Sequence, residues 1–486
     1  MRALEYAQLA EQFLSRLSRE EYLHLSGLKE TFETEQIFAE FTPLFTHEAV
    51  VERLENRRDR VGRYLAEFAA HGHIEGRIRD LTEEIANAES AAEIEREGER
   101  LPFRLAWKQL TMEPNHEKRR ALEGAILQAV EEQNRARARR IESQRRIAQE
   151  LGFPNYLHLC EALSGQSLPA LAAQMRAFVK ATEEIYRSHI SNLLEGEGIG
   201  AAEATDADLR WALFAPRYEC FFPAEKLVPA AEKSLCRLGL SLAEQKNIHL
   251  DLEPRPRKYP RPFCCPIQVP GEIWVVVSPR GGCSDFLSFF HEVGHAIHFS
   301  HMKPALPVQF RLMGDRAVGE AFAFVIQSIA MERSWLREVL GLEEPPEELL
   351  RAGRLIDLWF LRRYSGKVCY ELELHGEAGP AEEMPGTYSR ILGEAVGVRV
   401  SRENYLFDVD DAFYSATYLR AWMLDAALRD KLEETFGGEW FFSAEAGKWL
   451  QALWRKGQEW TAEELAAELC LTYGEETLQR RLLRDL

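Results

Sequence analysis

Hydrophobic residues recur at near-helical spacing along most of the chain, and this pattern predicts a mainly helical protein. The clearest stretch runs from Glu117 to Leu151, where charged residues separate an apolar series: Leu122, Ile126, Val130, Ile141 and Ile147. Such spacing places apolar side chains on one face of a helix. Asn115 and Gly152 are residue types that favour the amino and carboxyl ends of helices. We therefore expect one long helix between them.

The pattern changes between Asn247 and Gly282, where it indicates strands. Ile248, Leu250 and Leu252 alternate with polar residues, and seven prolines between positions 254 and 279 exclude a long helix there. The turn Pro270-Gly271 separates two apolar runs, 263–269 and 272–278, as in a β-hairpin. We predict a small sheet at about residues 247–279, with helices resuming at Ser284 and continuing to the end of the chain.

The composition is that of a folded globular protein, with 46% hydrophobic and 28% charged residues among 486. The 60 basic and 78 acidic residues give a net charge of −18. Nucleic-acid backbones and anionic membrane surfaces are bound by clustered positive charge. The charge balance therefore predicts neither a nucleic-acid partner nor a membrane partner.

No segment of the sequence predicts a membrane span or a signal peptide. Charged residues interrupt the first 21 positions, and the most apolar short run, Ile273 to Val277, is far below the roughly 20 residues that cross a bilayer. The eight cysteines are scattered and contain no CxxC pair. We therefore expect reduced thiols and a cytoplasmic location.

The sequence FLSFFHEVGHAIHFSH contains the HExxH motif His291-Glu292-Val293-Gly294-His295. A spacing of four places both imidazoles on one helical face, where they can bind one cation, and Glu292 can reach a water at the metal. Two histidines and a glutamate are costly to bury in an apolar helix unless a metal or other partners compensate. The motif therefore predicts a site for one Zn²⁺ per chain.

A zinc site of this kind needs a third protein ligand, and two residues compete for the role. His301 has the spacing of the HExxHxxGxxH motif, but position 298 is histidine instead of the glycine that turns the chain. A continuing helix would carry His301 about 15 Å along the axis from His291. Glu320 lies near the start of another amphipathic stretch, where Ala321 and Ala323 permit close helix packing. We favour Glu320 and keep His301 as the alternative.

These residues resemble the gluzincin metallopeptidases of the oligoendopeptidase F and thimet oligopeptidase family. The likeness rests on HEVGHAIH followed by Glu320, and it extends upstream through FCCPIQVPGEIWVVVSPRGGCSDFLSFF and downstream to DDAFYSATYLRAW. It covers about residues 260–425. The resemblance implies a large, mainly α, two-lobed peptidase with a small sheet beside the HExxH helix, a deep channel and short peptides as substrates.

The resemblance also implies roles for individual residues. Zinc ligands would be His291, His295 and Glu320. Glu292 would act as general base and proton shuttle, and Tyr414 and Tyr418 on a late helix would donate hydrogen bonds to the developing oxyanion. The chain departs from the family at one point, because Phe407-Asp408-Val409-Asp410-Asp411 precedes the tyrosines where the family usually has a histidine.

Three functions are compatible with this sequence. The favoured one is a zinc metalloendopeptidase that hydrolyses short unfolded oligopeptides with a water activated by Glu292 at the zinc. The second is a metallocarboxypeptidase similar to the carboxypeptidase Taq family, which would need a positive group for the substrate's terminal carboxylate. The third is a helical peptide-binding protein with a vestigial zinc site.

Two lobes are expected to form one integrated unit. Residues 1–210 would be a helical lobe that walls the channel, and residues 211–486 would carry the small sheet, the HExxH helix at about 284–302 and the late helix at about 411–433. Integration is expected because ligands at 291–320 and tyrosines at 414–418 must converge if they serve one site.

Overall fold

The protein is predominantly α-helical, with two small sheets. The computed structural model describes residues 1–96, 98–376, 379–484 and 486, and helix accounts for 69% of it, so the predicted mainly α fold is confirmed. Helices before the three-stranded sheet are Ala3–Leu25, Thr34–Glu40, His47–Glu55, Arg60–Ala91, Phe103–Leu110, His116–Glu150, Tyr156–Ser164, Leu168–Ala181, Glu183–Gly196, Asp206–Phe214 and Leu227–Arg237. Helices after it are Cys283–His301, Val308–Leu312, Arg316–Ser328, Arg333–Trp335, Glu347–His375, Pro385–Val396, Tyr414–Phe436, Ala444–Trp454, Ala462–Glu468 and Glu475–Leu483.

Short irregular helices and five strands complete the elements. A π-helical turn covers Leu336–Leu340. The 3₁₀ turns are Thr42–Leu44, Glu219–Phe221, Ala224–Lys226, Ile329–Met331, Ala381–Glu383, Arg402–Tyr405, Asp411–Phe413 and Trp440–Phe442. The strands are Glu93–Arg96, Glu99–Pro102, Ile248–Asp251, Phe263–Gln268 and Glu272–Val276. Within the residues described, no helix is long and apolar enough to cross a membrane.

The chain divides into two compact units. The first unit comprises Met1–His71, Arg217–Leu350 and Arg420–Arg481. The second comprises Gly72–Pro216, Arg351–Leu419 and Leu482–Leu486. This division differs from the predicted cut at residue 210, because the first 71 residues group with the segment that carries the HExxH motif.

Aromatic packing explains why the amino-terminal segment joins the first unit. Tyr22, on helix Ala3–Leu25, stacks on Trp274 of the sheet with ring centroids 4.4 Å apart. The same side chain belongs to a buried apolar cluster with Cys265, Ile267 and Val276. Burial of apolar surface is favourable wherever the partners lie in the sequence. This contact therefore groups the amino-terminal helix with the sheet, although about 250 residues separate Tyr22 from Trp274 along the chain.

The three-stranded sheet of the first unit has strand Glu272–Val276 at its centre. This strand pairs in parallel with Ile248–Asp251 and antiparallel with Phe263–Gln268, so the latter strand lies at an edge of the sheet. The predicted hairpin is therefore observed, and the peptide bond between Val269 and Pro270 in its turn is cis. Helix Cys283–His301 follows the sheet directly and packs against the edge strand.

The second unit contains the long helix His116–Glu150, whose ends follow the sequence prediction. The Asn115 side chain accepts a hydrogen bond from the Lys118 N–H, and Gly152 adopts a left-handed conformation just beyond the end. Leu122, Ile126 and Val130 form part of a buried core on the predicted apolar face.

Candidate metal centre

The HExxH motif lies on the helix Cys283–His301, here called the HExxH helix. Its apolar face is buried through Phe286, Phe290 and Val293, and Phe290 meets the edge of Trp335 with ring centroids 5.4 Å apart. Because residues four apart share a helical face, this anchoring turns His291 and His295 together toward the neighbouring helix. Both imidazoles remain partly exposed.

Glu320 lies on the next long helix, Arg316–Ser328, here called the glutamate helix. Asp315 caps this helix by accepting a hydrogen bond from the Ala317 N–H at 3.1 Å. The two helices approach closely at Gly294, where a Cβ atom added to the glycine would lie only 2.8 Å from the Cα of Ala323. Small residues at the crossing therefore let the glutamate helix bring Glu320, which is buried, to the histidines.

The three predicted ligands converge on one point. His291 Nε2 lies 3.2 Å from Glu320 Oε2 and 3.2 Å from His295 Nε2, and His295 Nε2 lies 3.6 Å from Glu320 Oε2. One ligand atom from each residue lies within 4.8 Å of the other two. Among the described residues, this is the group of histidine, cysteine and carboxylate side chains that can share a metal ion.

The chemistry of these atoms fits a cation. Gln327 Oε1 lies 2.9 Å from His291 Nδ1, and because an amide oxygen only accepts, the Nδ1–H group donates this hydrogen bond. In this tautomer of the neutral ring, Nε2 has the lone pair that could bind a cation, and it faces a carboxylate oxygen and a second imidazole nitrogen. Burial raises the pKa of the Glu320 carboxyl, but the facing imidazoles of His295 and His291 outweigh it and hold the pKa well below its usual range. An ionised carboxylate and two imidazoles are a zinc-type ligand set.

Glu292 lies beside the ligands and is held by the edge strand of the sheet. Its Oε2 accepts a hydrogen bond of 2.8 Å from the main-chain N–H of Cys264. Burial raises the pKa of Glu292 above its usual value. A carboxylate fixed through one oxygen has the other, Oε1, available to accept a proton from a water.

His301, the alternative third ligand, has a different environment. It is the last residue of the HExxH helix, and its Nδ1 lies 2.9 Å from the Ile297 carbonyl oxygen and 3.0 Å from Ser300 Oγ. Its ring packs 5.8 Å from that of Trp454. As the continuing helix predicts, His301 is not part of the cluster formed by the other two histidines and Glu320.

Tyr414 and Tyr418 lie in the second unit, at the start of helix Tyr414–Phe436, here called the late helix. Their rings meet edge to face with centroids 5.1 Å apart, and Tyr364 packs against Tyr418 in the same manner at 5.3 Å. The two tyrosines are one turn apart on one face of this helix. Their role as oxyanion donors stays a prediction.

Two groups at the centre were not predicted from the sequence. Gln327, which orients His291, stands seven residues after Glu320 and therefore on the same face of the glutamate helix. That spacing is a signal that could have identified it. The Cys264 N–H, which holds Glu292, is a main-chain group, and no residue type encodes it.

Replacing Gly294 by alanine is expected to weaken both folding and metal binding. The new Cβ would lie 2.8 Å from Ala323 Cα and 3.2 Å from Ile326 Cβ, so the two ligand-bearing helices must separate. Overpacking of this kind costs about 1–3 kcal/mol in the free energy of unfolding. Urea unfolding and zinc titration measure the two effects. Gly124→Ala is the control, because nothing lies within 4 Å of its added Cβ, and unchanged zinc affinity in Gly294→Ala would contradict the packing explanation.

Solved structures share this fold. A PZ peptidase A structure with an inhibitor has a TM-score of 0.69 and 17% identity, and the match covers 98% of this chain and 91% of that chain. A candidate oligoendopeptidase F has a TM-score of 0.71 and 16% identity, with 98% and 90% covered. Another candidate oligoendopeptidase F, from Bacillus anthracis, has a TM-score of 0.64 and 15% identity, with 98% and 83% covered.

No family model and no curated protein matches the chain. At 15% to 17% identity the matches to solved structures establish the fold. The chain therefore has an oligoendopeptidase-like fold, and the predicted resemblance is confirmed for the fold.

Proposed function

We propose that this chain, with its oligoendopeptidase-like fold, is a zinc-dependent peptidase that hydrolyses peptide bonds in short unfolded peptides. The observation that carries the proposal is the convergence of His291, His295 and Glu320 on one point beside the carboxylate of Glu292. The structural neighbours that are described as peptidases support the same class of reaction. Short peptides are the substrates that the family resemblance implies.

The ligand set would hold one zinc ion through His291 Nε2, His295 Nε2 and a carboxylate oxygen of Glu320. Three protein ligands leave a coordination position open, which is typical of catalytic zinc. When bound, zinc supplies Lewis acidity, which makes water more acidic and polarises a carbonyl group. Gln327 supports this set by fixing the His291 ring and its tautomer.

Glu292 moves the proton in the proposed reaction. Oε1 accepts a proton from the water that attacks the scissile carbonyl, and Glu292 then delivers that proton to the leaving amine nitrogen. The Cys264 N–H holds Oε2 during both transfers, so the carboxylate keeps one orientation. Positioned acid–base catalysis of this type contributes about a hundredfold to ten-thousandfold to the rate.

We further propose that Tyr418, with Tyr414, donates a hydrogen bond from its hydroxyl to the oxyanion. Tyr418→Phe is then expected to lower kcat about tenfold to a hundredfold with little change in KM, because the bond forms only in the transition state. Steady-state kinetics on a quenched fluorescent peptide measure both constants. Tyr259→Phe, at an exposed tyrosine of the first unit, is the control. A rise in KM alone would instead make Tyr418 a substrate-positioning residue.

Metal removal and a pair of matched peptides test the proposed function. The purified protein is expected to contain one zinc per chain, to lose peptide hydrolysis on chelation and to regain it when zinc is returned. It should cleave a peptide with a free carboxyl terminus and its amidated form at similar rates, whereas a carboxypeptidase would require the free carboxylate. Absence of stoichiometric zinc, or peptide binding without cleavage, would contradict the proposal and favour the non-enzymatic alternative.

A further inference from the structure

The segment before the two tyrosines is rich in acidic residues, and each of these has a basic partner within the second unit. These ion pairs are Asp408 with Arg363, Asp410 with Lys367 at 2.9 Å, and Asp411 with Arg140 at 2.6 Å. Asp408 also accepts a hydrogen bond from the Tyr388 hydroxyl. This segment is therefore held in place by side chains of several helices.

The backbone of this segment is strained immediately before Tyr414. Ala412 and Phe413 have φ values of 53° and 55°, a left-handed conformation that residues with a side chain rarely adopt. Two such residues in succession persist only when their surroundings hold them. Part of that support is a hydrogen bond from the Ala412 N–H to the Tyr156 hydroxyl and the burial of the Phe413 ring.

Glu371, on helix Glu347–His375, forms hydrogen bonds to the chain on both sides of this strained turn. Its Oε1 accepts a hydrogen bond of 3.0 Å from the Asp410 N–H, before the turn. Its Oε2 accepts a hydrogen bond from the hydroxyl of Ser415, in the first turn of the late helix. Glu371 and Ser415 are both fully buried. One carboxyl group thus joins the chain on both sides of Ala412 and Phe413.

The same face of helix Glu347–His375 also contacts the tyrosines. Lys367 and Tyr364 stand one and two turns before Glu371, and the Lys367 ammonium lies 5.3 Å from the centre of the Tyr364 ring. Tyr364 packs against Tyr418, which packs against Tyr414. The helix therefore holds the acidic segment through Lys367 and Glu371 and the aromatic pair through Tyr364.

We propose that Glu371 is a positioning residue for Tyr414 and Tyr418, because it fixes the turn that immediately precedes the helix carrying both tyrosines. This inference rests on the proposed role of the tyrosine hydroxyls as oxyanion donors. Misplacement of a reacting group by about 1 Å can cost a hundredfold in rate. A residue that sets the first turn of the late helix therefore acts on catalysis without contacting the substrate.

Glutamine at position 371 should preserve this function. Burial raises the pKa of Glu371 to about 8, so the site tolerates an uncharged side chain better than an exposed position would. The amide of glutamine has the same shape, and its oxygen can still accept from the Asp410 N–H while its NH₂ donates to Ser415 Oγ. Alanine removes both hydrogen bonds.

The test compares Glu371→Ala with Glu371→Gln at pH 7 in the zinc-loaded full chain. We expect Glu371→Ala to lower kcat about tenfold or more with KM within about twofold, and Glu371→Gln to keep most of the wild-type kcat. Ser415→Ala removes only one of the two hydrogen bonds and should lower kcat by a smaller factor in the same direction. Ser415→Ala provides the test if the Glu371→Ala variant does not fold. Equal losses in Glu371→Ala and Glu371→Gln would overturn the inference.

A double-mutant cycle separates positioning from general destabilisation. In the background Tyr414→Phe/Tyr418→Phe, which lacks both hydroxyls, Glu371→Ala should cause little further loss of kcat, because the residue acts through those hydroxyls. A loss of the same size in both backgrounds would contradict the inference while leaving the proposed peptidase function intact. Absent zinc, or no peptide hydrolysis by the zinc-loaded wild-type chain, would contradict the function itself.

Glu123→Ala is the matched control. Glu123 is a partly buried carboxyl of the second unit that accepts a hydroxyl hydrogen bond of 3.0 Å from Thr205, and burial raises its pKa to about 7. It belongs to helix His116–Glu150 and has none of the contacts described for Glu371. Its removal is expected to leave kcat within about twofold of wild type, and a loss as large as that of Glu371→Ala would remove the evidence for a specific role.

Discussion

Replacing Glu292 by glutamine is expected to lower kcat for peptide hydrolysis at least about a hundredfold while zinc remains bound. Glutamine can still accept the hydrogen bond from the Cys264 N–H through its amide oxygen, so the side chain keeps its place. It cannot take a proton from water at neutral pH, because an amide is not a base. Zinc content and single-turnover rates on one peptide measure the two parts of the prediction.

Glu219→Gln provides a matched control for this experiment. Glu219 is an exposed residue whose carboxyl group accepts a hydrogen bond from the main-chain N–H of Cys283, at the amino end of the HExxH helix, and partial burial of that group raises its pKa. Like Glu292, it accepts a hydrogen bond from a main-chain N–H, but it contacts the first residue of the helix instead of lying beside the metal ligands. We expect kcat within about twofold of wild type for this variant. Full activity in Glu292→Gln would show that another group moves the proton.

Local features of the molecule could be predicted from the sequence because short-range spacing determines them. The HExxH helix is observed at Cys283–His301, close to the predicted 284–302, and the late helix at Tyr414–Phe436 begins three residues after the predicted start. Glu320 lies beside the histidines for a reason that the sequence contained. Gly294 and Ala323 permit the close approach that the ligand set requires.

Other features depend on tertiary contacts or on main-chain groups and had no local signal. The stack of Tyr22 on Trp274 joins distant parts of the chain, and neither residue identifies its partner. Ala412 and Phe413 adopt a conformation that their residue types disfavour, so propensity predicts the opposite of what is observed. In both cases the packing around the residues determines the structure, and a single sequence does not show that packing.

Three substitutions should rank the contributions to zinc binding, and the largest effect is expected for Glu320→Ala. Removal of this carboxylate leaves two imidazoles, fewer than the three protein ligands of a catalytic zinc site. Loss of an outer hydrogen bond such as the one from His291 to Gln327 costs about tenfold to a hundredfold in metal affinity. Removal of a direct ligand should weaken zinc affinity by more than that range, and peptide hydrolysis should fall with zinc occupancy.

His301→Ala is the decisive comparison, because His301 is the histidine that a metzincin-like arrangement would use. Its Nδ1 contacts the Ile297 carbonyl oxygen and Ser300 Oγ, so the substitution removes a contact at the helix end and leaves the ligand set complete. Competition with a chelator should give an unchanged zinc affinity for His301→Ala, a weaker one for Gln327→Ala and the weakest for Glu320→Ala. If His301→Ala instead lost zinc while Glu320→Ala kept it, the third ligand would be histidine and the helix end would have to fold back onto the metal.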